Sequence, residues 1–281
     1  MQTARKLTLR SETRFQSAKP FLKWAGGKTQ ILNEIFARFP EQFNRYHEPF
    51  VGGGAAFFRL APKRATISDV NSDLIGTYTS IRDNVDAVIQ ALKAHRSEEE
   101  YYYQVRQLNV ANLSSVEAAA RIIFLNRTCF NGLYRVNRSG RFNVPFGKYA
   151  NPTICNEANL RAVSSALQKV QLKNESVFEI GKRVKQGDLV YFDPPYQPVS
   201  KTASFTNYTQ FGFGEEHQAR LAKLFGRLAN RGVHVVLSNS DTPLIRELYK
   251  DFKIDKIYAR RAINSRADRR GPIGEVLVSA S

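Results

Sequence analysis

The run Val190-Tyr191-Phe192-Asp193-Pro194-Pro195-Tyr196 sets a carboxylate, two prolines and an aromatic ring at the end of an apolar segment. Pro194 biases Asp193 toward an extended conformation, and neither proline can donate a ladder hydrogen bond. A strand over 189–192 therefore stops at a stiff turn. The turn offers the Asp193 carboxylate, the carbonyls of Asp193 and Pro194, and the Tyr196 ring. In an open α/β sheet, ligands bind at such strand ends. A flat ring with an exocyclic amino group suits these groups: the oxygens take its two N–H bonds, and the ring stacks on Tyr196. Lost conjugation then makes the amino lone pair more available. The plainer alternative is a proline-ended strand whose Asp caps a helix.

A second constellation lies upstream. A strand over 46–51 runs into Gly52-Gly53-Gly54, and a helix with Phe57, Phe58 and Leu60 follows. Strand, glycines and helix make a nucleotide-site arrangement, because glycine permits positive φ and close backbone approach. The dinucleotide pattern G-x-G-x-x-G breaks at Phe57, so a smaller adenosyl ligand fits better than a pyrophosphate. Glu48 stands just before the bend. The next strand, 64–68, ends in Asp69, where a ribose hydroxyl pair is commonly bound. The alternative for Asp69 is a cap of the helix starting near Asn71.

Gly26-Gly27-Lys28-Thr29 is not a P-loop, since the required first glycine falls at Leu22 and no strand precedes it. A glycine turn opening a helix to about Phe39 can still hold a carboxylate. Trp24, the only tryptophan, either covers an adenine ring or packs in the core.

The positioning elements follow from periodicity. Residues 74–126 read as helical, too long for one crossover, and so as an inserted lobe. A helix over 160–167 leads to a third strand over 170–173, then the fourth at 189–192. Further on come a helix at 217–230, a strand at 233–237 followed by Ser238-Asn239-Ser240, a helix at 244–251, and strands at 253–261 and 274–279. Residues 130–149 form a hairpin turning at Ser139-Gly140. In it Arg135, Arg138, Arg141 and Lys148 interleave with Asn131, Asn137 and Asn143. A two-stranded ribbon fits a DNA major groove, where arginine reads guanine bidentately. A solvated basic hairpin is the alternative. The 197–214 loop, with Phe205, Tyr208, Phe211 and Phe213, reads as a lid, and Arg266, Arg269 and Arg270 as phosphate contacts.

The 281 residues carry 42 Lys and Arg against 25 Asp and Glu, a net charge of +17. Such an excess points to a polyanion partner, and 19 Phe and 12 Tyr suit base stacking as well as cores. Cys129 and Cys155 have neither disulfide-framework nor metal spacing. No signal peptide or long apolar run is present, so a soluble, cytoplasmic protein with no membrane or metal partner is expected. Domain boundaries are read as a basic tail at 1–19, a catalytic domain at 20–74 and 166–281, and a recognition lobe at 75–165.

The chain resembles the Dam-type DNA adenine-N6 methyltransferases, the alpha group of amino-methyltransferases. The resemblance runs from about Pro20 to Leu277. It rests on Phe21-Leu22-Lys23-Trp24-Ala25-Gly26-Gly27-Lys28, Glu48-Pro49-Phe50-Val51-Gly52-Gly53-Gly54, Asp69-Val70-Asn71-Ser72-Asp73-Leu74, Asn131-Gly132-Leu133-Tyr134-Arg135, Phe142-Asn143-Val144-Pro145-Phe146-Gly147 and Asp193-Pro194-Pro195-Tyr196, in family order. It implies an α/β class I S-adenosylmethionine fold: a Rossmann-like seven-stranded sheet, its last strand antiparallel, with an inserted lobe. It implies that Trp24, Lys28, Asp69 and Asp193 contact S-adenosylmethionine, while Glu48, Phe50, Gly52 and Gly54 shape its pocket. Asp193, Pro194 and Tyr196 would grip the target base in double-stranded DNA. Lys23 would touch DNA beside the target. Leu133, Arg135 and Pro145 match base-reading positions of members that recognise GATC, and Phe130 and Asn131 lie near the flipped base or its gap. Two positions depart from the pattern and bear on flanking preference: Arg141 replaces a common acidic residue, and the tip is Arg138-Ser139. A cytosine-N4 methyltransferase, a catalytically silent DNA-binding relative, and a small-molecule or protein-glutamine methyltransferase are the rival readings.

Overall fold

The computed structural model describes residues 17–137, 139–198, 213–259 and 273–280. The tail before residue 17, Arg138, residues 199–212 of the expected lid, and Arg266, Arg269 and Arg270 lie outside them. Seven strands form one sheet: β1 (Tyr46–Glu48), β2 (Ala65–Asp69), β3 (Val170–Asn174), β4 (Leu189–Phe192), β5 (His234–Ser240), β6 (Lys253–Ala259) and β7 (Ile273–Ala280). Their order is β3-β2-β1-β4-β5-β7-β6. Pairing is parallel from β3 through β5, and β7 runs antiparallel to both β5 and β6. The expected antiparallel last strand is thus present, wedged between β5 and β6.

Strand order reverses between β1 and β4, which pair through Tyr46 with Leu189 and His47 with Val190. Loops leaving these two strands diverge, and a crevice opens at their C-terminal ends. The triple glycine follows β1 and the Asp193 turn follows β4, so the topology alone brings the two constellations together.

Helices cover both faces. One face carries α2 (Ala55–Leu60), α3 (Ser72–Lys93), α5 (Ser115–Thr128) and α6 (Glu157–Leu167); the other carries α7 (Glu215–Ala229) and α8 (Pro243–Leu248). β4 shows why three layers form. Leu189 and Tyr191 belong to the first core, and Val190 and Phe192 to the second. That is the period-two alternation of a strand buried on both faces. Each such side chain contributes about 1.5–3 kcal/mol on burial.

Several boundaries differ from expectation. The helix read as reaching Phe39 is only α1, Leu32–Phe36, with turn at Thr29–Ile31 before it and at Ala37–Arg38 after it. The long helical stretch divides into α3, kinked at Asn84, then α4 (Glu99–Gln107) and α5. Ser114 and Glu117 form a reciprocal capping box at the start of α5. Residues of α3 and α5 share one core with the sheet: Ile81, Val88, Ile122 and Phe124 join Ile67, Leu189 and Leu277. The hairpin is sparse, held by bridges Cys129 to Phe146 and Val136 to Phe142.

Candidate active site

The glycine bend is built by close approach. Gly52 and Gly54 have φ of +47° and +72°, and a Cβ on Gly52 would lie 2.7 Å from Trp24 Cδ1. A side chain at either position would be both strained and obstructed. Trp24 lies on this bend, stacked on Tyr134 with ring centroids 5.0 Å apart. Its place is therefore beside Gly52, not merely beside its sequence neighbours Gly26 and Gly27. Asp69 accepts from Gly52 N (3.3 Å) and Asn71 N (3.0 Å). The α3 cap is Asn71, whose side chain accepts from Leu74 N, so Asp69 is not the capping residue. Burial raises the Asp69 carboxyl above its ordinary range, partly offset by those backbone N–H groups.

At the end of β4, Asp193 Oδ1 accepts from Ser238 Oγ and pairs with Lys28 Nζ, each at 2.9 Å. Lys28 Nζ also donates to Gly26 O (2.6 Å) and lies 4.4 Å from the Tyr196 ring centroid. The ammonium thus holds the position that a substrate amine would need, on the carboxylate and over the ring. A lysine stem can swing aside; a bulky core side chain could not. Tyr196 is anchored by its hydroxyl, which donates to Glu275 Oε2 at 2.9 Å. No described side chain donates to Asp193 Oδ2 or to the Pro194 carbonyl.

Sequence reasoning missed the groups that hold this turn. Gln218 Nε2 donates to Pro195 O (2.9 Å), Gln197 N donates to Asn239 Oδ1 (3.0 Å), and Asn239 Nδ2 donates to Gln218 Oε1 (3.1 Å). Ser238 Oγ also meets Tyr191 OH at 2.9 Å. Gln218, Ser238 and Asn239 are all 0% exposed. Buried polar groups with such partners fix geometry. The polar run at the end of β5 was the available signal; for Gln218, within a helical pattern, there was none.

Glu48 ends β1, is 3% exposed, and accepts from Tyr46 OH at 2.9 Å. Burial, and secondarily the Asp193 charge, push its carboxyl up to about 8 against the opposing Tyr46 hydrogen bond. Phe50 meets Phe213 edge-on at 5.5 Å. The crevice therefore gathers carboxylates from the ends of β1, β2 and β4 around a side-chain-free bend. Such a set suits a cationic sulfonium carrying an adenosyl group, and the residues present fit S-adenosylmethionine. The Cys129 thiol is pushed up to about 11, mainly by burial, which keeps it from serving as a thiolate nucleophile.

The hairpin root is tied to the same region. Asn126, 1% exposed, accepts from Lys23 N and donates to Lys23 O and Gly132 O. The Lys23 stem covers Gly132, and its ammonium lies 5.0 Å from the Tyr149 ring centroid. Phe130 is 51% exposed, and Asn131 has φ of +55°. Arg135 Nε and Nη2 donate to the side chain and carbonyl of Asn143. Leu133 is half-buried and Pro145 exposed, with Pro145 O accepting from Phe130 N. Lys148, also at positive φ, sits 3.7 Å from Glu99. Lys23, Phe130, Asn131 and Leu133 are thus brought to one root. Arg135 stands further out along the ribbon. No described group of His, Cys, Asp and Glu forms a metal-binding cluster, and no described helix is long and apolar enough to cross a membrane.

The type II methyltransferase M1.LlaDCHI of Lactococcus lactis subsp. cremoris is 46% identical over 269 residues, covering 93% of this chain and 95% of its own. The DNA adenine methylase of Escherichia coli K12 is 37% identical, over 92% and 94%. Among solved structures, the C-terminal domain of precorrin-6Y C5,15-methyltransferase from Rhodobacter capsulatus aligns over 95% of this chain and 96% of its own, at 12% identity and a TM-score of 0.39. The family model for D12 class N6 adenine-specific DNA methyltransferases matches residues 24–263. The chain belongs to that family, S-adenosylmethionine-dependent enzymes that methylate adenine in DNA.

Proposed function

We propose that this protein methylates adenine N6 within GATC in double-stranded DNA, taking the base out of the helix to do so. The observation that carries the reading is the corner after β4. There Asp193 Oδ2 and the Pro194 carbonyl face no described side-chain donor, beside the anchored Tyr196 ring. Extruding a base costs a few kcal/mol. Stacking on Tyr196 recovers part of it. Asp193 and the Pro194 carbonyl accept the two N6 hydrogens and turn the nitrogen lone pair toward the crevice. Lys28 must leave the Tyr196 face for this, and Ser238 keeps Asp193 Oδ1 in place as it does.

S-adenosylmethionine supplies an electrophilic methyl on a good leaving group. The protein's work is then mainly positioning. Trp24, Lys28, Glu48, Phe50, Gly52, Gly54, Asp69 and Asp193 are the residues that would hold it. The corner would present N6 to that methyl, and the surplus N6 proton would leave past Asp193 to solvent. Lys23 contacts DNA beside the target, Phe130 and Asn131 lie at the gap left by the base, and Leu133, Arg135 and Pro145 read the sequence. Lys148 and Arg138 add phosphate contacts. The segment 75–165 serves as the recognition lobe of a monomer acting in the cytoplasm. Relatives named as DNA adenine methylases support this reading. The test is Asp193→Ala: methyl transfer is lost while duplex binding survives. An active Asp193→Ala enzyme refutes the assignment.

A further inference from the structure

The active-site crevice lies at the C-terminal edge of the sheet. At the opposite edge, Arg45, Lys63, Arg64 and Lys169 line an open cavity of about 630 Å³. Arg45 immediately precedes β1, Lys63 and Arg64 precede β2, and Lys169 precedes β3. These three strands are neighbours and parallel, so their starts converge on one rim. Nothing acidic lines the cavity, and none of the four cations forms an ion pair among the described residues. Lys63, Arg64 and Lys169 are exposed, and Arg45 is half-buried with its guanidinium near Ala65 O at 3.4 Å. Four like charges gathered without counter-charges repel one another and gain by taking up an anion.

We propose that this rim is a second DNA-binding surface, which holds the phosphate backbone of another duplex segment while the crevice holds the first. The form of the site favours a polymer. It is open, its three exposed cations come from two loops, and no buried donor or glycine nest encloses a small anion. The duplex in the crevice cannot itself supply those phosphates. DNA is stiff, so even a bend of about 40–90° over 20–30 bp is costly, and reaching the far edge requires a sharper reversal. None of the four residues belongs to the proposed methyl-transfer machinery. The inference rests on the proposed function only in taking DNA as the molecule bound in the crevice.

The test saturates the protein with an unlabelled GATC duplex and then titrates a fluorescent duplex lacking GATC, following anisotropy. We expect a second binding phase whose log K falls with log salt at a slope of roughly −3, as for three to four neutralised phosphates. Lys63→Glu/Arg64→Glu/Lys169→Glu weakens that phase at least tenfold and leaves methylation of the first duplex unchanged. The milder Lys63→Gln/Arg64→Gln/Lys169→Gln, which serves if charge reversal impairs folding, weakens it less and in the same direction. Methylation by the wild type without a second phase overturns this proposal alone. So does a second phase indifferent to both variants, or a rim that binds tripolyphosphate but no duplex. A wild type that neither binds nor methylates the first duplex removes the functional reading and this one with it.

Discussion

Replacing Glu48 by Gln tests the electrostatics of the crevice. Glu48 is buried at the end of β1, with Tyr46 as its hydroxyl donor and Tyr78, Tyr191 and Asp193 nearby. Its carboxyl is pushed from an ordinary 4.5 to about 8, burial being the largest cause. At about 1.4 kcal/mol per pH unit, that corresponds to on the order of 5 kcal/mol between protonated and ionised forms. The sign follows from proton linkage. The folded state holds the proton more tightly than the unfolded chain, so stability present below about 4.5 is lost as pH rises to about 8. Glu48→Gln keeps an acceptor for Tyr46 and cannot ionise. Urea unfolding at pH 6, 7, 8 and 9 is the assay. The variant's stability relative to wild type should grow by about 2 kcal/mol from pH 6 to 8, then level off by pH 9. His47, lowered mainly by burial, shifts both proteins alike and cancels in the difference. Parallel stability curves would instead show Glu48 to be an ordinary carboxylate, ionised at neutral pH in the folded protein. The same carboxylate predicts that S-adenosylmethionine, a cation, binds more tightly as pH rises toward 8, whereas its neutral demethylated product shows a flatter profile.

Arg135→Ala should cost about 1–3 kcal/mol of specific binding and relax one base position, measured as Kd across single-base site variants; uniform weakening would assign Arg135 to phosphate. Gln218→Ala frees the Pro195 carbonyl and the Asn239 amide that Gln218 now holds. Leaving buried polar groups unpaired costs about 1–3 kcal/mol of stability. If the clamp positions the corner, kcat falls more than KM rises, and kcat unchanged at full occupancy would limit Gln218 to a structural role. Lys28→Met removes the cation now seated on Asp193 and Tyr196. It should weaken S-adenosylmethionine binding in calorimetry, and an unaltered Kd would take Lys28 out of the donor site.

The switch-point pair was legible because both halves are local. A proline-stopped strand and a triple glycine announce themselves within ten residues, and the parallel order of β1 and β4 does the rest. The antiparallel β7 was reachable only through family resemblance, since its pairing with β5 and β6 is long-range. β5 shows why pattern reading stops short. Ser238, Asn239 and Ser240 look like the end of a strand, yet they pair with Leu277, Val276 and Glu275 and stay buried. The Ser238 and Asn239 side chains are satisfied by Asp193, Gln197 and Gln218, partners far off in sequence. The position of Lys28 was illegible for the same reason. Its glycine-turn context pointed to an anion at the helix start, and the anion it meets is Asp193, brought in by the fold.

Plasmid DNA incubated with the purified protein and S-adenosylmethionine is mapped for modified bases, and its nucleosides are analysed by mass spectrometry. The expected result is N6-methyladenine confined to GATC. N4-methylcytosine, or DNA left unmodified under conditions where the protein binds it, would contradict the account.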